Sequence, residues 1–199
     1  MRDWDEHRLT DRVRTQAGLP VPGVDVLIRD AGGQEVPFDG TTMGDLYVRG
    51  PWVADGYWNA AADPGQFGPG GWFRTGDVAI GSTDGYFVIA DRSKDLIKSG
   101  GEWISSVDME AAIMAMPQVA EAAVVAMPDP TWQERPLAFV VPSGTAPVTL
   151  GAVRGHLESL GWARWQLPDR VEVIDRIPVT SVGKFDKKLL RALLVAPDD

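Results

Sequence analysis

The chain has 199 residues, 44% of them hydrophobic and 24% charged, a composition that can bury a core and excludes a disordered chain. Its formal net charge of −9 argues against a nucleic-acid binder that works by neutralising phosphates, and against a basic membrane-surface helix. It contains no cysteine, which excludes disulfides, thiolate metal sites and a catalytic thiol. The two histidines, His7 and His156, are far apart and give no ligand spacing, so no metal site is expected. No apolar run approaches the ~18 residues of a membrane span. Met1-Arg2-Asp3-Trp4 does not begin a secretory signal, because no apolar stretch follows it. A soluble cytoplasmic protein without a nucleic-acid partner is the expectation.

In chain order, residues 3–17 read as a weakly amphipathic helix, with Trp4, Leu9 and Val13 interleaved among charges. From Gly18 onward, short β-type runs alternate with turn signals. Strands are predicted over 24–28 and 45–48, with turns at 30–33 and at Gly50-Pro51. Residues 78–80 and 86–89 flank a Gly- and Asp-containing loop and read as a hairpin. Gly and Pro crowd 64–71, which is expected to be surface loop. After Asp91 the texture changes, and the domain boundary is placed there: 1–91 as a β-rich unit, 92–199 as a second unit. Ser105 and Asp108 have capping-box spacing ahead of a helix over 107–116. Strands follow at 119–127 and 137–141, a helix at 150–160, a strand at 171–174 and a terminal helix at 186–195. Leu189, Leu190, Leu193 and Leu194 form an apolar stripe on that last helix and are expected in the core. The order indicates an α+β fold.

Three clusters carry chemistry. In Trp72-Phe73-Arg74-Thr75-Gly76-Asp77, the glycine lets the backbone bend and the aspartate is either a turn residue or a carboxylate exposed to a vicinal diol. Asp91 to Trp103 holds abutting charges and the Gly100-Gly101 pair. It reads either as a solvated inter-domain loop or as a cationic linker with a glycine loop that lets a ligand pass close to the backbone. Pro178 to Lys188 contains Gly183-Lys184, but Pro178 and Phe185 occupy positions where a Walker motif needs Gly and Ser/Thr. Lys184 can still present a point charge to a phosphate or carboxylate.

Taken in order, these clusters resemble the adenylate-forming superfamily of acyl-CoA synthetases, firefly luciferases and peptide-synthetase adenylation domains. The resemblance covers essentially the whole chain and includes Gly44 to Pro51, Gly56-Tyr57-Trp58, Glu134-Arg135-Pro136 and Leu167-Pro168. Lys98 to Ser106 and Trp165 to Pro168 resemble the fatty-acid–CoA ligase branch; Val182 stands where peptide-synthetase domains usually have Asn. The implied fold is a β-rich distorted-barrel subdomain followed by a small α+β C-terminal domain. The implied activity couples a carboxylate to ATP, then passes the acyl group to CoA. By the same resemblance, Asp77 and Arg92 hold the nucleotide ribose, Lys94 is the hinge and Lys184 is the catalytic lysine of adenylation. Lys98, Gly100, Gly101, Glu102 and Trp103 form the loop that admits the pantetheine arm of CoA. Trp72, Phe73, Trp132 and Trp165 are expected mainly in packing.

The family's Ser/Thr/Gly-rich phosphate loop, its acyl pocket and its magnesium-binding glutamate have no counterpart in these residues. The expectation is therefore a C-terminal portion of such a ligase, inactive alone, whose partner is a complementing N-terminal AMP-binding domain. ATP, CoA, fatty acid and magnesium enter as ligands of the whole family enzyme. A non-catalytic interaction module, or a decayed gene product, is the alternative.

Overall fold

The computed structural model describes residues 18–30, 32–56 and 65–194. The helix expected over 3–17, the aromatic pair Tyr57-Trp58 and the residues after Leu194 lie outside the described residues. The chain divides into two compact units, Met1–Lys94 and Asp95–Asp199. Among the described residues, no helix is long and apolar enough to cross a membrane.

The first unit is an antiparallel sheet of five strands: β1 (Asp25–Arg29), β2 (Met43–Arg49), β3 (Phe67–Gly68), β4 (Trp72–Gly81) and β5 (Phe87–Arg92). β4 is its spine. β2 runs along one edge of β4, while β3 and then β5 share the other. Period-two patterning places Ile28, Leu46 and Ala79 on the buried face with Val36, and Val26, Phe38 and Phe87 pack around them. The Trp72 to Asp77 cluster, for which a turn was one reading, is thus strand. Trp72 and Phe73 are half-buried: Arg49 stacks 4.5 Å from the Trp72 ring centroid, and Phe67 lies 4.9 Å from Phe73. The 64–71 stretch is not wholly loop, since it supplies β3 and a 3-10 turn, Pro69–Gly71.

The second unit carries β6 (Ile97–Ser99), β7 (Glu102–Ile104), α1 (Ser106–Met114), β8 (Val119–Asp129), β9 (Gln133–Pro142), α2 (Leu150–Ser159), β10 (Arg170–Val173) and α3 (Lys187–Leu193). The side chains of Ser105, Thr149 and Asp186 cap the three helices, each accepting from a first-turn amide at 3.0–3.2 Å. β8 and β9 form a long antiparallel hairpin; β10 runs parallel to β9 and β6 antiparallel to it. Both faces of the hairpin are apolar. Ala122, Val124, Ala138 and Val140 meet Met109 and Ile113 of α1 and Val153 and Leu157 of α2. The alternate set, Ala123, Val125, Leu137 and Phe139, meets Leu190 of α3. This covering on two sides explains why 119–127 and 137–141 read as near-continuous apolar runs.

Of the two readings left open for 91–103, the solvated loop does not hold: residues 97–104 are a β-hairpin with Ile97 and Ile104 fully buried. The leucine stripe needs correction too. On α3 only Leu190 is buried; Leu189 and Leu193 are 49% and 54% exposed. Successive helical residues point about 100° apart, so a short helix packed on one side cannot bury adjacent leucines alike.

Arg135 fastens this unit from within. It is 6% exposed, and its guanidinium donates to Ser99 Oγ at 2.8 Å, to Leu167 O at 2.9 Å and to both oxygens of Asp169 at 2.7 and 3.2 Å. It also donates to Trp165 O. One side chain thus ties the β6–β7 hairpin to the segment leading into β10. Arg154 adds a second donor to Asp169 at 2.8 Å. The hydrogen bond from Arg135 is the main cause holding the Asp169 carboxyl below the ordinary carboxylate range. Arg135→Met is expected to cost about 3 kcal/mol in urea unfolding, the low end for breaking a buried pair because Asp169 is itself partly exposed. The Asp169 contribution is present above its unfolded pKa of about 4 and is lost as pH falls through the lower folded value. The gap between wild type and Arg135→Met should therefore shrink in acid; a gap constant down to the folded value would contradict the pairing.

Candidate functional site

In the first unit, Asp77 follows Gly76, whose φ of +78° is the left-handed region that glycine enters without strain. On the β2 side the register shifts between the pairs Asp45–Val78 and Tyr47–Arg74, so Gly76 and Asp77 sit at a β-bulge. Across the ladder Asp77 faces Arg92, and Arg92 Nε donates to Asp77 Oδ1 at 2.9 Å. The aspartate side chain is 17% exposed and the arginine 57%. A cleft of about 510 Å³ opens beside them, lined by Gly65, Gln66, Arg74, Gly76, Arg92, Ser93 and Lys94. The family resemblance gives roles to Arg92 and Lys94 but none to Arg74 and Ser93. Both of the latter lie inside the same sequence clusters, which is the signal that could have found them.

Asp45 organises this wall. The residue is 9% exposed, and its carboxylate accepts from Arg74 Nη2 and from Ser93 Oγ, each at 2.7 Å. Arg74 Nε is buried with no hydrogen-bond partner among the described residues. A cleft bearing three cationic side chains suits an anionic ligand, and a carboxylate beside it suits hydroxyl donors.

The second unit presents two turns. Gly100 and Gly101, at φ +61° and +88°, form the two-residue connection of the β6–β7 hairpin, the pair of positive φ values that a tight primed turn requires. Lys98 and Glu102 are exposed and Trp103 is half-buried. The Lys98 amide donates to Glu134 Oε2 at 2.8 Å. Trp132 lies against Gly100: a Cβ there would fall 2.8 Å from the indole, and Gly100 N–H donates to Trp132 O at 2.9 Å. Asp129 Oδ1 fixes that loop by accepting from the amides of Thr131 and Trp132, both at 2.8 Å. Gln133 next to it holds φ +73°, a strained value for a residue with a side chain. Trp132 and Trp165 are 49% and 40% exposed, so each packs over only part of its surface.

Lys184 lies in the other turn. Thr180 N–H donates to Lys184 O at 2.7 Å and Gly183 N–H to Thr180 O at 2.9 Å, closing a tight loop between Val179 and Phe185. The lysine is exposed, and among the described residues its ammonium makes no hydrogen bond or ion pair. The structure thus brings Asp77, Arg92 and Lys94 together in one unit and 98–103 together in the other, with Lys184 on a separate turn of the latter.

A cationic cleft in a β-rich unit, followed by an α+β unit with two exposed glycine turns, is the architecture of adenylate-forming enzymes. The amide bond synthetase McbA of Marinactinospora thermotolerans superposes with a TM-score of 0.76 at 34% identity, over 96% of this chain and 38% of that one. Residues 108–184 match the AMP-binding enzyme C-terminal domain and residues 5–58 the AMP-binding enzyme family, and the chain belongs to that family. A long-chain-fatty-acid–CoA ligase of Thermus thermophilus is 51% identical over 188 residues, 94% of this chain and 34% of that relative. A 3-methylmercaptopropionyl-CoA ligase of Ruegeria pomeroyi is 44% identical over 185 residues, 90% of this chain and 33% of the relative. The chain spans about a third of the length of the curated relatives it matches.

Gly100→Ala is expected to destabilise the chain by about 1–2 kcal/mol, from the left-handed backbone and the approach to Trp132. In a Trp132→Ala background the cost should be smaller, since the contact is gone. Equal costs in both backgrounds, by thermal unfolding, would show that the ring yields freely.

Proposed function

We propose that the chain supplies the nucleotide-side pair, the pivot and the lysine turn of a fatty-acid–CoA ligase. In the first half-reaction a carboxylate oxygen attacks the α-phosphorus of ATP and the bond to pyrophosphate breaks, giving an acyl-adenylate. In the second, the CoA sulfur adds to the acyl carbon, the thiol proton is lost and AMP departs with the electrons of the C–O bond. Asp77 and Arg92 hold the ribose hydroxyls, and Lys94 is the pivot between the two steps. Lys184 stabilises charge developing between the carboxylate and the α-phosphate. Lys98, Gly100, Gly101, Glu102 and Trp103 border the route of the pantetheine arm, where two glycines leave room beside the backbone.

The observation that carries this reading is the Asp77–Arg92 pair at 2.9 Å on the rim of the cationic cleft. Only one carboxylate oxygen of Asp77 is engaged there, which leaves an acceptor for a diol. The fatty-acid class is favoured by the likeness to the Thermus ligase across 94% of this chain. Magnesium accompanies the nucleotide in this family. Among the described residues no cluster of three or more His, Cys, Asp or Glu is placed to hold it.

A chain that spans a third of its relatives is proposed to need the remaining ligase portion for turnover. The 199-residue chain with ATP, CoA and a fatty acid should form no acyl-CoA above background, and full turnover by the chain alone would overturn this part of the reading. With the complementing portion supplied, Lys184→Ala should slow adenylation about 10²–10³-fold, some 3–4 kcal/mol. Thioester formation from supplied acyl-adenylate should be spared. Equal loss in both half-reactions would rule out an adenylation-specific role for Lys184.

A further inference from the structure

The polypeptide crosses from the first unit to the second at Lys94-Asp95, and the residues on either side of Lys94 are each held by their own unit. On the near side, Ser93 N–H donates to Gly76 O at 2.9 Å and Ser93 Oγ donates to the buried Asp45 at 2.7 Å. Asp45 is itself braced by Arg74. On the far side, Asp95 accepts from Arg191 of α3, with the two side chains only 14% and 29% exposed. Leu96 and Ile97, which follow, are buried.

Arg191 sits one helical turn beyond Lys187, on the same side of α3. Lys187 Nζ reaches Glu110 Oε1 at 2.6 Å and Ser106 Oγ at 2.7 Å, with side chains 11% and 9% exposed across the ion pair. α3 is therefore pinned at both ends. Its capping residue, Asp186, lies two positions after Lys184.

We propose that Ser93–Asp45 and Asp95–Arg191 are two clamps that confine the pivot to the backbone of Lys94, and that Arg191 is a positioning residue for the Lys184 turn. Each clamp belongs wholly to one unit, so each persists whatever the relation between the units. With Ser93 and Asp95 fixed, Lys94 contributes the soft dihedrals of the crossing. The far clamp acts on the helix that carries the lysine turn, so the segment leaving the pivot and the turn bearing Lys184 move as one body. The clamps themselves follow from these hydrogen bonds and ion pairs; their bearing on turnover rests on the ligase reading.

The test is amide hydrogen exchange on the full chain, without turnover, comparing wild type with Ser93→Ala, Asp45→Asn, Arg191→Met and Arg191→Lys. Ser93→Ala and Asp45→Asn should speed exchange of amides 92–94 about tenfold, and Arg191→Met that of 95–97 similarly, as expected where a local opening loses about one charge-assisted hydrogen bond. Arg191→Lys should restore most of the protection. Strand β9 should be unchanged. If amides 92–97 exchange no faster, or if every amide accelerates together, the clamps are overturned; Ser93→Ala keeps the test open should Asp45→Asn fail to fold. With the complementing ligase portion, Arg191→Met should shift the ratio of the two half-reaction rates. Local acceleration with that ratio unmoved would overturn the link to turnover while leaving the ligase reading intact.

Discussion

A guanidinium buried among carbonyls, a hydroxyl and a carboxylate is the constraint on which the second unit depends. Arg135 has five N–H donors in a rigid plane, and the fold surrounds it with Ser99, Trp165 O, Leu167 O and Asp169. Burial makes this demanding, because an unpaired charge there would cost several kcal/mol. A structure that satisfies Arg135 must bring the glycine hairpin beside the segment 165–169. The exposed Gly100-Gly101 turn is thus held from below by a charge that solvent does not reach.

The same logic recurs at the free edge of β8. Glu110 is 7% exposed and accepts from Val124 N–H at 2.7 Å, an edge amide that β9 does not use. Lys187 then neutralises Glu110. Since α1 and α3 pack on opposite faces of the sheet, the pair joins them around that edge and blocks strand addition there. It also fixes the start of the helix that follows the Lys184 turn. Structural ion pairs and the proposed chemistry are therefore close in sequence but distinct in burial: Lys187 is sequestered, Lys184 exposed.

Net charge would not have located the cleft. The chain is acidic overall, yet Arg74, Arg92 and Lys94 line one depression. Screening limits the reach of distant carboxylates to about 8–10 Å in physiological salt, so the local arrangement decides what an anion encounters. Composition excluded a polyanion binder that depends on a broad basic surface, and a single cationic cleft is compatible with that exclusion.

Local rules were legible in the sequence. The cap at Ser105, the β-type runs and the turn glycines placed most elements within a few residues, and the motif order, through the family resemblance, named Asp77, Arg92, Lys94, the 98–103 loop and Lys184 as candidates. Those features depend on neighbours along the chain, where side-chain spacing and backbone preference act directly. What the sequence left undecided required partners far apart in it: that Arg92 faces Asp77, that 97–104 is a hairpin held by Arg135, that Lys187 reaches Glu110, and that Leu189 and Leu193 stay exposed. Period and propensity say which face of an element is apolar. Only the register between strands, and the packing of helices on both sides of β8–β9, decide which face is covered and which charges meet.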